Sequence, residues 1–542
     1  MKPIFKSYQY NQSELFSRSL ADYVPQNHRV RLLSDIIDRL ELPEALLQTY
    51  KGGGTSSYPP KLMLKILFYA YLNNVFSCRK IENFMHENIG MLWMCGELKP
   101  DFRTINRFRG EKLKTVIETL FTQVVELLHD AGLVSLEKVF VDGTKIEADA
   151  HQYSFVWRKS VEKNKAKLLA QIKEVLGGIE AQIYSDDQGI VPENTDIDLA
   201  LIQERIQQIN QSNRVGTLSK TDQKSFKKLS QEQLPRLQKY EQQLAICGQR
   251  NSYSKTDPDA TFMRTKDDAM KNGQLKPCYN VQISTENQII THFTIEQTPA
   301  DTTCLKAHLA QFEKQYHRMP DVIADAGYAS EENYQYLEEQ TVKAYIPYVG
   351  SKKKDRNPFS TQHLFYNPDL DFFVCPMGQR MEKRYHRIEK TGTAYQKEIH
   401  VYQAKNCHTC PLHAVCHKGK GKRTIEVSHN FKRLSSQSQA LLSTPEGQRT
   451  YAQRKIEPEP VFGNIKHNKG FKRFNVRSLP KVKIAFGLVA IAHNFAKLLQ
   501  ALLKRFLSFI FAYYSAFFSP YVTFCRTVLG KEESVAKICL SY

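Results

Sequence analysis

Residues 138–144 read KVFVDGT and residues 321–327 read DVIADAG. Each is a short run rich in Val, Ile or Phe that ends in an aspartate, Asp142 or Asp325, with a small residue directly behind it. A strand that is apolar along its length is buried in a sheet, and a carboxylate at its end lies where the sheet opens to solvent, which is where α/β sheets hold ligands. Taken alone, either aspartate is as readily a turn former or a helix cap. The elements between them narrow the choice. YNVQIS (279–284) and IITHFTI (289–295) have strand texture and predict a hairpin across 285–288. A helix follows Asp301, another starts from Glu331, and AYIPYV (344–349) supplies a further strand.

Strand with Asp, two more strands, helix, strand with Asp, helix, strand, and later a helix bearing Glu is the ribonuclease-H-like plan. Here it carries two large inserts, so the fold class is mixed α+β and α/β. The late helix lies in RKIEPEPVFGNIKHNKGFKRF, where Glu459, Phe462 and Lys466 fall at i, i+3 and i+7 and share a face. Pro460 is compatible with a helix that begins near Glu459. Three hard oxygen ligands on separate elements, with no histidine among them, suit Mg²⁺ or Mn²⁺ rather than zinc. Two such ions can activate a water or a 3′-hydroxyl and stabilise the departing oxygen in an in-line displacement at phosphorus.

Upstream of Leu133 the sequence is helical. Leu32, Leu33, Ile36, Ile37 and Leu40 keep helix spacing, Pro59 and Pro60 open a second helix, and Ser77 is placed to cap a third. Asp101 then begins DFRTINRFRGEKLKTVIETLF. Ile105, Phe108 and Leu113 form its inward stripe, with Arg103, Arg107, Arg109 and Lys112 on the other side. A basic helix after a short connection suits a DNA major groove, although CGELKPD is longer than the usual helix-turn-helix turn and a solvated basic face fits equally.

The whole chain supports that direction. Its 542 residues carry 76 Lys+Arg against 56 Asp+Glu, a formal charge of +20, with 41% hydrophobic residues. This mixture excludes disorder and fibrous repeats, and the excess of cations makes a polyanion the default partner. The N-terminus has no apolar run of signal-peptide length, so a cytoplasmic location is expected. The 11 cysteines are too sparse for a disulfide scaffold. Residues 506–525, FLSFIFAYYSAFFSPYVTFC, are long enough to cross a bilayer, but the serines and Pro520 within them favour a docking helix or tail over a membrane span. Cys407, Cys410 and Cys416, with Cys375 upstream, form either a structural zinc knuckle or unmetallated thiols, with His408, His413 and His417 as substitute ligands. Asp257 and Asp259 in TDPDA read as a turn, and Asp301 as a helix cap.

Taken together and in order, YPPKLMLKILFYAYLNNVFSCRKIE, PDFRTINRFR, VDGTKIEADA, TDPDATFM, YNVQ, ADAGYASEENY and IEPEPVFGNIKHNKGFKRF closely resemble the DDE transposases of bacterial insertion sequences. The resemblance runs from about residue 24 to 499. It implies that Asp142, Asp325 and Glu459 are the catalytic, metal-holding acids. It also implies that Tyr451, Arg454 and Lys466 are the signature residues that contact DNA phosphate near the cleavage site. One spacing departs from the family: four residues, not three, separate Arg454 from Glu459, which keeps Glu457 as a lesser candidate. The implied partners are double-stranded DNA, at element ends and target, and further copies of the chain assembled on it, with no small-molecule substrate. The organisation so read is a helical DNA-binding domain (1–133), a catalytic core in three pieces (134–154, 251–349 and 441–503), a helical insertion (155–250), a basic cysteine-bearing insertion (350–440) and an apolar tail (504–542). An end-binding protein without catalysis and a nuclease without strand transfer are the alternatives.

Overall fold

The strands of the computed structural model, which describes residues 19–48, 57–184, 198–211, 214–265, 273–348, 359–417 and 419–529, begin with β1 (Lys138–Glu147), β2 (Phe155–Trp157), β3 (Ser252–Ser254) and β4 (Thr261–Arg264). Then come β5 (Leu275–Glu286), β6 (Ile289–Glu296), β7 (Asp321–Ala324) and β8 (Ala344–Tyr345). Six of them make one sheet in the order β4-β5-β1-β7-β8, with β6 also paired to β5. β1 does not stop at Asp142 as its apolar opening suggests. Antiparallel pairing with β5, from Phe140↔Thr285 to Glu147↔Cys278, holds it extended for five residues more. Its parallel pairing with β7 does stop there, at Val141↔Ala324.

The β5–β6 hairpin closes through Asn287 and Gln288, both left-handed at φ 53° and 60°. This is the backbone that a two-residue hairpin turn demands, and one that a glutamine adopts only when its surroundings hold it. Helices Leu305–Tyr316 and Glu331–Glu339 then make the crossovers into β7 and β8, both parallel to β1 or its neighbour.

The N-terminal helices share the sheet's apolar core. Helix Pro60–Leu72 opens with proline at its first position and is buried almost throughout from Met63 onward. It packs on the long helix Leu479–Leu529, with Phe68 and Phe495 at 5.7 Å between ring centroids. On the other flank Phe293 of β6 touches Phe121 (5.1 Å) and Phe486 (5.3 Å). Gly487 lets these layers close, because a Cβ there would meet Ile117 at 2.7 Å. Residues Leu479–Arg505 of the long helix are apolar and long enough to cross a membrane, yet they are mostly buried inside this core. The side chains expected to form a docking helix or tail, at 506–525, lie outside the described residues apart from Ser508.

Both insertions bury apolar clusters of their own. Helices Arg158–Tyr184, Leu199–Gln211, Lys220–Lys228 and Leu234–Cys247 bury their own cluster around Ile172, Ile206 and Leu237. Their entry and exit meet as a two-stranded ribbon, β2 on β3, registered Phe155↔Ser254 to Trp157↔Ser252. The cysteine-bearing stretch forms a second sheet of β9 (Tyr366–Asn367), β10 (Phe372–Val374), β11 (Arg380–Lys390), β12 (Gln396–Ala404) and β13 (Thr424–Val427). The order is β13-β12-β11-β10-β9, all antiparallel, over a small core that includes Phe373, Met381 and Tyr402.

Candidate active site

Asp142 and Asp325 follow the last parallel pair of β1 and β7, so the two carboxylates emerge from neighbouring strands at the same level. Both are partly exposed. Asp142 Oδ1 accepts the Gly143 N–H at 2.9 Å, and Asp325 Oδ1 accepts the Gly327 N–H at 2.7 Å, which caps the 3₁₀ turn Ala326–Tyr328. These local bonds fix each carboxylate to its own backbone at the level where the parallel pairing of β1 and β7 ends.

A third acid stands beside them that the sequence gives only as a cap. Asp301 does begin a short 3₁₀ turn, but Ala300 holds the cap position. Its Oδ1 accepts from Asn280 Nδ2 (2.8 Å) and Gln282 Nε2 (3.0 Å) of β5, and its Oδ2 lies 3.7 Å from Lys145 Nζ of β1. A Cβ on Gly143 would come within 2.9 Å of Asp301 Oδ1, so the missing side chain next to Asp142 makes room for it. The buried Tyr328 hydroxyl donates to Gln282 Oε1. Burial drives that phenol far above its ordinary pKa, and the charges of Asp301, Asp142 and Asp325 add to the rise. One neutral phenol thus sits amid three carboxylates.

The late glutamates differ sharply. The helix begins at Pro458, one residue before the expected start, and spans only Pro458–Gly463 before a wider π turn, Asn464–Asn468. Lys466 therefore sits in that turn, and the anticipated i, i+7 helical face with Glu459 is not continuous. Its ammonium donates to the Lys145 carbonyl of β1 at 2.9 Å. Glu459 is about half exposed and pairs with Arg454 at 3.4 Å. Tyr451 packs against the cluster of Phe140, Ile323 and Tyr345. Glu457 is buried, and its Oε2 accepts the Gln288 N–H at 2.7 Å. Burial raises its pKa.

That bond belongs to a knot around the hairpin turn. Gln288 Nε2 donates to the Ile456 carbonyl (2.9 Å), the Gln288 carbonyl accepts from His493 Nε2 (2.8 Å), and Gln288 Oε1 accepts from Lys497 Nζ (2.7 Å). Every polar group of Gln288 is engaged, which explains how a glutamine is held at positive φ. The knot ties the long helix and the β5–β6 turn to the residue two places before Glu459. Opposite the turn, Asp259 accepts the Leu479 N–H (2.8 Å) and Asp257 accepts from Ser478 N (3.2 Å) and Tyr279 Oη (2.8 Å). TDPDA does turn, through Ala260 N–H to the Asp257 carbonyl, and its acids also cap the start of the long helix.

The structure places the remaining candidates as follows. Among the described residues no three His, Cys, Asp or Glu side chains stand close enough to hold a metal ion. Glu459 pairs with Arg454 rather than with Asp142 or Asp325. Nor are Cys375, Cys407, Cys410 and Cys416 gathered as a zinc site. Arg423 lies among them, its N–H donating to Cys407 Sγ (3.3 Å) and its guanidinium to Cys416 Sγ (2.9 Å), and the five-stranded sheet has a small apolar core of its own. Arg109 is not on the open face with Arg103 and Arg107. It is buried, with bonds to Tyr71 Oη (3.3 Å), the Phe76 carbonyl (2.9 Å) and Asn106 Oδ1 (3.2 Å). A π turn at Phe108–Lys112 interrupts the helix and swings it inward.

The donor chemistry at the strand ends is oxygen only, partly exposed and anionic, which fits a hard divalent cation. A transposase domain model (DUF772) matches residues 18–111, and a transposase DDE domain model matches residues 374–499. The second match takes in Glu459 but neither strand-end aspartate. No curated protein and no solved structure matches the chain. The two family matches, one across the N-terminal helices and one across the cysteine-bearing sheet and the long helix, indicate an insertion-sequence DDE transposase.

Proposed function

We propose that the protein binds the ends of an insertion sequence and carries out metal-dependent strand cleavage and strand transfer at Asp142, Asp325 and Glu459. The observation that carries this reading is the placement of Asp142 and Asp325 side by side where β1 loses its parallel neighbour. The sheet order, with β5 and β6 antiparallel on one side of β1 and β7 and β8 parallel on the other, supports a ribonuclease-H-like core. The division into N-terminal DNA-binding helices, interrupted core and two insertions follows from it.

In this reading Asp142 and Asp325 would hold Mg²⁺ or Mn²⁺, with Glu459, now paired to Arg454, as the third ligand. Such a metal, when bound, would lower the pKa of an attacking water or 3′-hydroxyl and offset negative charge at the reacting phosphate. The chain's own residues do the rest. Arg454, released from Glu459, faces the phosphate as a cation; Lys466 fixes the turn after Glu459 to β1 through the Lys145 carbonyl. Tyr328, neutral because its pKa is raised, holds Gln282 and through it Asp301, keeping the floor beside Asp142 rigid. A strand-transfer assay on duplexes bearing the element's ends is the test. Cleavage with joining supports the proposal; cleavage without joining leaves a nuclease, and end binding without cleavage leaves an inert end-binding protein.

A further inference from the structure

A cavity of about 460 Å³ opens between the N-terminal helices and the start of the long helix. Its lining brings together Arg79, Arg103, Arg107, Arg109 and Lys481 against a single carboxylate, Glu111. Arg109 is the buried one. Arg79, Arg103, Arg107 and Lys481 are exposed, and no ion pair is formed by any of them among the described residues. Asp101 feels Arg103 and Arg107, but its carboxylate is engaged in capping through Thr104 and lies outside the lining. Arg79 and Arg103 both lie over the Phe102 ring, at 5.2 and 5.7 Å, so the aromatic ring holds two guanidinium groups near each other without neutralising them. The first turn of helix Cys78–Glu87 also faces the cavity, and Ser77 makes no side-chain cap there.

Like charges gather without partners where an anion is to be received. The larger cleft, about 1040 Å³, makes the contrast: it mixes four carboxylates with three cations, and its Lys483 is paired with Glu118. Small-molecule sites are chiefly apolar with a few placed polar groups, whereas exposed, unpaired cations on three separate helices suit an extended phosphate backbone.

We infer that this cavity is a phosphate clamp for the DNA duplex, in which Arg79 and Lys481 join Arg103 and Arg107 on one stretch of backbone. The inference rests on the DNA-transposase reading above. Neither Arg79 nor Lys481 belongs to the helix whose sequence suggests DNA contact. Lys481 also lies on the same helix as His493 and Lys497, so the grip on DNA and the knot behind Glu459 share one rigid element.

The test is binding of the full chain to a short random-sequence duplex, by fluorescence anisotropy across a salt series, since phosphate contacts do not depend on sequence. Arg79→Ala and Lys481→Ala should each weaken binding about fivefold and lower the salt slope by about one, while Lys483→Ala leaves both unchanged. Unaltered binding in the Arg79 and Lys481 variants, or an equal loss in all three, overturns the clamp in favour of contacts elsewhere or diffuse charge. Titration calorimetry with inorganic phosphate covers the other source of the same chemistry. Phosphate binding lost in Lys481→Ala beside unaltered duplex binding would make the cavity a free-anion site and overturn the clamp. Absence of salt-dependent duplex binding by the unaltered chain would instead remove the transposase reading itself, and the clamp with it.

Discussion

Asp142 and Asp325 are carried by two strands hydrogen-bonded to each other inside a six-stranded sheet, whereas Glu459 is carried by a six-residue helix between two irregular turns. The strand ends need nothing beyond sheet pairing to keep their spacing. The helix is held by its side chains and those of its flanking turns: Val461 and Phe462 in the main core, Lys466 reaching to β1, and Glu457 reaching to the Gln288 knot. One half of the site is set by backbone and the other by tethers. Tethers are where a substitution, or a proton, can shift an acid without unfolding the core.

The largest effect tests the backbone half. Asp142→Asn or Asp325→Asn should lower cleavage and joining by about a thousandfold or more, with end binding retained, because a lost metal ligand disables the chemistry far more than phosphate contacts. Near-normal cleavage in Mg²⁺ by either variant breaks the assignment. Next comes the tethered half. Glu459→Gln should remove about a hundredfold or more of activity, while Glu457→Gln, which keeps an acceptor for the Gln288 N–H, loses no more than about threefold. A dead but folded Glu457→Gln beside an active Glu459→Gln would reverse the two roles.

Glu457→Ala separates tether from chemistry. It strands the half-buried Gln288 N–H, and denaturant unfolding should register a loss of about 1 kcal/mol. Activity should fall further than for Glu457→Gln if the knot positions Glu459; equal activity of the two variants would show that it does not. The smallest effect is in pH. Burial depresses His493 to about 3 and His292 to about 4, and His308 also lies well below the ordinary imidazole range. Unfolded histidine binds a proton below about pH 6.5 where these folded ones do not, so stability is complete above that value and declines as pH falls toward the folded values. Each should contribute on the order of 1–2 kcal/mol of loss by pH about 5, and His493→Gln should shrink that slope without abolishing it. Stability that rises on acidification through this window would contradict the neutral, buried assignment.

How much of this was legible follows the same division. The strands, the hairpin and both aspartates could be read because alternation, turn spacing and a carboxylate behind an apolar run are local signals. The length of β1 past Asp142 could not, since its pairing partner lies over a hundred residues downstream in β5. Asp301 was legible only as a helix cap, because the groups that make it part of the site, Asn280, Gln282 and Lys145, come from other strands. Arg109 sat correctly on a helical wheel that the π turn then rewound. Cysteine spacing alone suggests a zinc knuckle, and spacing is silent about a sheet with a core of its own and an arginine placed among the thiols.

The ribbon of β2 on β3 means that the helical insertion leaves and rejoins the core at paired residues, Phe155 opposite Ser254, about 5 Å apart as any such strand pair is. To the core, the intervening segment is topologically a hairpin loop. Replacing residues 158–251 with a two- to four-residue turn would restore an ordinary β-hairpin at that edge, leaving the main apolar cluster untouched because the insertion buries its residues in a cluster of its own. The neck is thus a natural graft point, where this chain could lose one module or accept another without relearning its fold.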